Sequence, residues 1–167
     1  MNTIESYVRN DIQQLNLFVV ECKQLPKNKI KDIKIGLAGE YLVMSKLIKM
    51  GYSCALSGNG EPYDILVDIP KVGILKIQIK TKSKNSKILN YNFRRGYHGS
   101  KTGTYAYSDD DFDISAVVLL QEGKVLFKYG VHDSISIRIE DFVRDGAEES
   151  SFKFAIKEAI KKRGYKK

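Results

Sequence analysis

The chain has 167 residues, enough for one domain with a proper core, and its 43% hydrophobic content is ordinary for a soluble globular protein. No run approaches the roughly 20 consecutive apolar residues of a membrane helix. Two cysteines are too few for a disulfide framework or a cysteine-built zinc site, and with only two histidines as well a catalytic metal is expected to be held by oxygen ligands, as Mg²⁺ or Mn²⁺ are.

The opening segment, MNTIESYVRND, carries acids early and has no basic start or small-residue cleavage site. A cytoplasmic location is expected from it, nucleoid-associated in a bacterium or phage. In residues 3–24, Ile4, Val8, Ile12, Leu15, Phe18, Val19 and Cys22 repeat at helical spacing. Residues 1–28 therefore read as an N-terminal amphipathic helix, a plausible pairing element for a homodimer. Residues 29–167 read as the main α/β domain. The spacing predicts a second helix over 32–50, with an apolar stripe of Ile33, Leu37, Tyr41, Met44 and Ile48, and Gly51 as its stop. Glu40 lies beside that stripe, at the rim of the expected core.

Strands follow over 52–56, 63–69 and 74–82, the last two forming a hairpin around Pro70, Lys71, Val72 and Gly73. Between the first two, Ser57-Gly58-Asn59-Gly60-Glu61-Pro62 reads as a turn rather than a phosphate-binding loop, since it lacks the lysine and spacing of one. Residues 83–111 show no clear periodicity and read as an irregular basic insertion. Residues 112–120 read as a central strand, 125–129 as its hairpin partner, and the alternation of Ile135, Ile137 and Ile139 as an edge strand. A terminal helix is expected over 151–163.

The net charge is +8, and its placement matters more than its size. Lys76, Lys80, Lys82, Lys84, Lys87, Arg94, Arg95 and Lys101 occupy a stretch with no Asp or Glu, and further lysines close the chain. Clustered positive charge of this kind matches a polyphosphate better than a small anion. Tyr91, Phe93, Tyr97, Tyr105 and Tyr107 lie in the same stretch, placed either to stack on bases or to pack the insertion on the core.

Chemistry is concentrated in two strands. Alternation sets Asp64, Leu66 and Asp68 on one face, and Lys76, Gln78, Lys80 and Lys82 on one face of the next strand. Across a normal hairpin Asp64 lies within reach of Gln78 and Lys80. A carboxylate beside a lysine can hold a metal, stabilise phosphoryl charge and orient water; it can equally be a cross-strand pair on a solvated sheet face. Asp109, Asp110, Asp111 and Asp113 form an acidic cluster, readable as a cation site, as solvated loop, or in part as a partner for Arg94 or Arg95. Asp68 reads as a solvent-facing acid, and His98 and His132 as loop histidines.

Glu40, Tyr63-Asp64 and Gln78-Ile79-Lys80, in that order on a helix and a hairpin, resemble the core of the PD-(D/E)XK nuclease superfamily. The stretch Gly36-Leu37-Ala38-Gly39-Glu40 resembles the first motif of its resolvase-like members. Tyr63 stands where the motif's proline would be. Gln78 replaces the acid of the second motif, as in the branch that includes an intron-encoded homing endonuclease, and Tyr91-Asn92-Phe93-Arg94-Arg95 and Asp111-Phe112-Asp113 also look like that branch. The resemblance spans roughly residues 33–130. It implies a restriction-endonuclease-like fold, a central mixed β-sheet flanked by helices, and a Mg²⁺-dependent endodeoxyribonuclease in which Mn²⁺ may replace Mg²⁺. It further implies Asp64, Glu40 and Gln78 as metal ligands, Lys80 as the catalytic lysine, and DNA as partner. Lys82, Lys84, Arg94, Arg95 and Lys101 are expected to grip the DNA backbone. Two alternatives use the same features: a nuclease-fold DNA- or RNA-binding protein that no longer cleaves, and a protein-interaction domain with a basic face.

Overall fold

The computed structural model describes residues 32–58, 60–83, 86–96 and 103–162. The expected N-terminal helix, Tyr97, His98, Lys84 and Lys101 lie outside these. Helix α1 (Asp32–Lys49) leads into strands β1 (Ser53–Leu56), β2 (Ile65–Ile69) and β3 (Gly73–Lys82). Short strands β4 (Ile88–Asn92), β5 (Arg94–Gly96) and β6 (Thr104–Ala106) precede β7 (Ile114–Leu119), a 3₁₀ turn at Leu120–Glu122, and β8 (Lys124–Tyr129). The described chain ends with β9 (Ser134–Arg138), α2 (Ile139–Val143) and α3 (Ala147–Lys162).

Five strands form one mixed sheet in the order β1-β2-β3-β7-β8. Only β3 and β7 run parallel, and every residue of β7 is buried, as its unbroken apolar run predicts. Asp113 fastens the start of that pair: its carboxylate accepts the Lys76 N–H at 2.8 Å, while its own N–H donates to the Lys76 carbonyl at 2.9 Å. Asp113 is thereby a strand clamp.

The sheet buries both faces. On one, Ile65, Val67, Leu75, Ile77, Ile79, Ala116 and Val118 meet Val43 and Leu47 of α1 and Phe152, Ala155 and Ile156 of α3. On the other, Val117, Leu119 and Leu126 meet a second core made by Leu89, Tyr91, Phe93, Phe112, Ile135, Ile137 and Phe142. Glu148 locks α3 in place, pairing with Lys46 at 3.0 Å and accepting the Val125 N–H at 2.9 Å. Among the described residues, no helix is long and apolar enough to cross a membrane.

Three expectations are corrected. Residues 83–111 are not irregular throughout: β4 pairs antiparallel with β9, and β5 with β6. The alternation of Leu89, Tyr91 and Phe93, all buried, carries this signal, and the surrounding lysines and arginines obscure it. The strand of Ile135 and Ile137 belongs to this separate ribbon, while Ile139 begins α2. The terminal helix starts at Ala147, where Glu148 and Glu149 complement the helix dipole.

The third correction concerns the face of α1. The predicted stripe is largely solvent-facing, with Ile33 83% and Ile48 58% exposed. The buried line is Gly39, Val43 and Leu47. A Cβ built on Gly39 would sit 1.9 Å from Thr81 Oγ1, whereas one built on Gly36 meets nothing within 4 Å. Gly39 therefore marks where the helix backbone lies against β3, and a search for large apolar side chains passes over it.

These two glycines supply a matched test. Gly36→Ala should raise stability by up to about 1 kcal/mol through helix propensity alone. Gly39→Ala gains the same propensity but overpacks the contact, and should be net destabilised by roughly 1–3 kcal/mol. Urea unfolding of both variants checks the opposite signs.

Candidate active site

The sequence places an acid directly before β2 and an amide and a lysine two apart in β3, and the fold brings the acid and the amide together at one residue, Ile79, with the lysine next to it in the strand. Asp64 sits opposite Gln78, one step beyond the Ile65–Ile77 pair, and its backbone N–H donates to the Ile77 carbonyl at 2.9 Å. Its carboxylate turns to accept the Ile79 N–H at 2.7 Å. Gln78, only 5% exposed, donates from Nε2 to the Ile79 carbonyl at 3.3 Å. Both ends of the Ile79 residue are thus held by predicted site residues, and Oε1 remains as the acceptor of Gln78.

Lys80 lies on the same side of β3 as Gln78. Its ammonium donates to the Arg94 carbonyl at 3.2 Å and stands 5.7 Å from the ring centre of Tyr107. Glu40 arrives from α1, half-buried, one residue beyond the Gly39 contact.

The electrostatics tie these groups together. Burial pushes Asp64 up from 3.8 to about 6; the Ile79 N–H opposes this, the Glu40 charge adds to it, and Lys80 opposes it. Burial raises Glu40. Burial lowers Lys80, against the pull of Asp64. Asp64 therefore feels both Glu40 and Lys80, and Lys80 feels Asp64, with all three groups partly desolvated, a pattern met at groups set up for chemistry.

Tyr107 is a site residue that sequence reasoning did not single out. Its hydroxyl is pushed up to about 12, by burial first, then by the Asp64 charge, with Arg95 opposing and Asp111 adding. The ring packs edge-on against Phe112 at 5.0 Å, so the side chain roofs the site from the second core. Packing also accounts for Tyr91, whose hydroxyl donates to the Val118 carbonyl at 3.0 Å, and for Phe93, tilted against Phe112. Tyr105 is exposed.

Arg95 reaches the rim, donating to the Gly60 carbonyl at 3.4 Å and facing Asp111 at 3.9 Å. The Ser57–Pro62 turn thus borders the site, and Asp111 positions an arginine. Asp109 pairs with Lys162, and Asp113 clamps strands, so three of the four aspartates of that segment are separately engaged. Arg94 faces Asp133 at 3.5 Å. Lys82 is exposed. Asp68 is exposed opposite Ser53 and Ile74, at the far end of β2. His132 contacts the Tyr129 carbonyl at 2.9 Å.

Among the described residues, no group of three or more His, Cys, Asp or Glu side chains is gathered as a metal cluster. At this site the third position is the amide of Gln78.

A mixed five-stranded sheet flanked by helices is a nuclease-like α/β fold. A solved structure, that of the bacterial homing endonuclease I-Ssp6803I, is similar to it with a TM-score of 0.57 and 19% sequence identity, covering 77% of this chain and 95% of that one. At that identity the likeness is one of fold. No protein-family model and no curated protein matches the chain.

The raised Asp64 has a consequence for stability. Its folded value lies above 3.8, so between about 4 and 6 the native state binds the proton more tightly than the unfolded chain. Stability then falls as pH rises through that window, and the penalty persists in full above it. Asp64→Asn keeps an oxygen for the Ile79 N–H and removes the buried charge. It should stabilise the protein at pH 7.5 by at most about 3 kcal/mol, reduced by the lost attraction to Lys80. Thermal melts of both proteins should converge near pH 4.

Proposed function

We propose that the protein is a metal-dependent endonuclease that hydrolyses DNA phosphodiester bonds. The observation that carries this reading is the placing of Asp64 and Gln78 on Ile79, with Lys80 next in the strand and the Glu40 charge felt at Asp64, on the central strand of a nuclease-like sheet. The donor set suits a hard cation: two carboxylates, both raised by burial and Asp64 also by the Glu40 charge, which a positive charge would relieve, and an amide oxygen. Asp64, Glu40 and Gln78 would hold Mg²⁺, or Mn²⁺ in its place. Such an ion supplies charge neutralisation at a phosphodiester and a more acidic water.

The chain's own groups do the remainder. Lys80, held by the Arg94 carbonyl, presents its ammonium where a phosphoryl oxygen or the attacking water would sit. Asp64 is ionised above about pH 6, so cleavage should decline as pH falls through that value. Arg95 at the rim, with Arg94 and Lys82, and with Lys84 and Lys101, binds the phosphate backbone. Two copies would allow both strands of a duplex to be cut.

A second reading, a nucleic-acid-binding protein that does not cleave, draws on Gln78 itself, because a neutral amide weakens metal affinity. Two experiments decide. Plasmid nicking in Mg²⁺ should drop by two orders of magnitude or more in Lys80→Ala; an unchanged rate removes the assignment, and no nicking by the parent in Mg²⁺ or Mn²⁺, with binding retained, favours the second reading.

Gln78→Glu tests the metal site apart from activity. A third carboxylate, buried and unpaired against the Ile79 carbonyl, should destabilise the metal-free protein by roughly 2–4 kcal/mol. Mg²⁺ or Mn²⁺ should then raise its melting temperature more than that of the wild type. Titration calorimetry that detects no binding by either form removes the metal.

A further inference from the structure

The β4–β9 ribbon presents its two faces very differently. In register, Ile88 faces Arg138, Asn90 faces Ser136, and Asn92 faces Ser134. All six are exposed, while the alternate residues Leu89, Tyr91, Ile135 and Ile137 are buried in the second core. A solvated face needs only polarity, and edge strands commonly carry lysine as protection against pairing. This face instead carries two amides, two hydroxyls, one guanidinium and one exposed branched aliphatic, with one positive charge and no carboxylate. Asn90 is already oriented, since its Oδ1 accepts the Ser136 hydroxyl at 2.7 Å, leaving its NH₂ to point elsewhere.

The ribbon is also anchored to the site. Asn92 is followed by Phe93 and then Arg94, whose carbonyl holds Lys80. Asp133, just before β9, is matched by Arg94 at 3.5 Å. A cavity of about 380 Å³ lined by Asn92, Arg94, Thr104, Asp133 and Ser134 opens at this inner end. The Asn92/Ser134 end therefore lies by the candidate chemistry, and the Ile88/Arg138 end points away from it.

We propose that the outer face of the β4–β9 ribbon reads base edges in the major groove of duplex DNA, and so sets where the chain cuts. This rests on the nuclease reading above. The B-form major groove, about 12 Å wide, admits a two-stranded ribbon. Five residues at about 3.4 Å each span roughly the rise of five base pairs. The side chains match the groove's chemistry: asparagine bonds adenine in a bidentate manner, arginine does so with guanine, serine bonds either, and an aliphatic group meets the thymine methyl. Asn92 reads nearest the scissile bond and Arg138 farthest. The deep, narrow major groove of A-form RNA admits no such ribbon, so the occupant is DNA.

The test is selection from a pool of randomised duplexes, sequencing the fragments that the full-length protein cuts in Mg²⁺ and those it binds in EDTA. The expected result is a motif of about four to five contiguous base pairs beside the cut. Asn92→Ala, Asn90→Ala and Arg138→Ala should each flatten the preference at a different position, in that order outward, by roughly ten-fold. Lys157→Ala, on the exposed side of α3, should leave the motif intact. Thermal melts verify that the variants fold; Asn→Ser replaces any that do not. Methylation of guanine N7, in the major groove, should block binding within the motif, and methylation of adenine N3, in the minor groove, should not. A motif that survives all three ribbon variants, DNA bound without any motif, or the reverse methylation pattern overturns the inference and leaves the nuclease reading standing. A wild-type protein that neither binds nor cuts duplex DNA overturns both.

Discussion

The closeness of α1 to β3 at Gly39 and Thr81 constrains most of the site. With no side chain at Gly39, the helix backbone comes into contact with the strand, and Thr81 is left with a buried hydroxyl that has no hydrogen-bond partner among the described residues. An unsatisfied hydroxyl of this kind costs about 1–3 kcal/mol, so the close approach is retained against a local penalty. Its effect is to set the rotation of α1. Val43 and Leu47 turn into the core, and Glu40 turns toward Asp64, close enough for its charge to be felt there. A bulkier residue at Gly39 would move Glu40 outward, toward water, and weaken that coupling.

The same crowding rationalises the amide at position 78. Asp64 is already raised to about 6 by burial and by Glu40, and Gln78 is nearly as buried as the core around it. A carboxylate there would push Asp64 further up, and without a cation the pocket would take on a proton at neutral pH. The amide avoids this. It keeps an oxygen toward the site, satisfies the Ile79 carbonyl with its nitrogen, and lets Asp64 remain ionised at pH 7 with Lys80 as its balance. The amide thus keeps the Asp64–Lys80 pair charged at neutral pH with no third carboxylate beside it.

Much of this was legible in the sequence where one period dominated. The alternating runs around Asp64 and Gln78 marked β2 and β3, whose pairing followed from hairpin spacing, and the unbroken apolar run marked β7 as a central strand, though not its parallel pairing with β3. Glu40, Asp64, Gln78 and Lys80 were chosen on residue type and spacing, and the fold brings Asp64 and Gln78 to Ile79 with the Lys80 and Glu40 charges felt at Asp64. The packing face of α1 was not legible, because its contact line begins at a glycine and the large apolar side chains lie elsewhere. The β4–β9 ribbon was missed because its partners are more than 40 residues apart and each strand is short, with its apolar positions interleaved with asparagine or serine. Tyr107 could not be assigned, since its role depends on Phe112 and Lys80 meeting it from other elements.

The central strand pair joins these parts. One face of β3 packs Ile77 and Ile79 against the helices, which places Glu40; its other face carries Gln78 and Lys80 toward the second core, which supplies Tyr107 and the Arg94 carbonyl. The single hydrogen bond from Lys80 to Arg94 connects the candidate chemistry to the segment that continues from β4. A ribbon docked on DNA would load that link directly, because Arg94 lies two residues beyond Asn92 and also faces Asp133 at the start of β9. Recognition and cleavage would then depend on one short stretch of backbone. A poorly matched duplex, by shifting the ribbon, would displace the carbonyl that holds the lysine, so specificity could act on the rate of cutting as well as on binding.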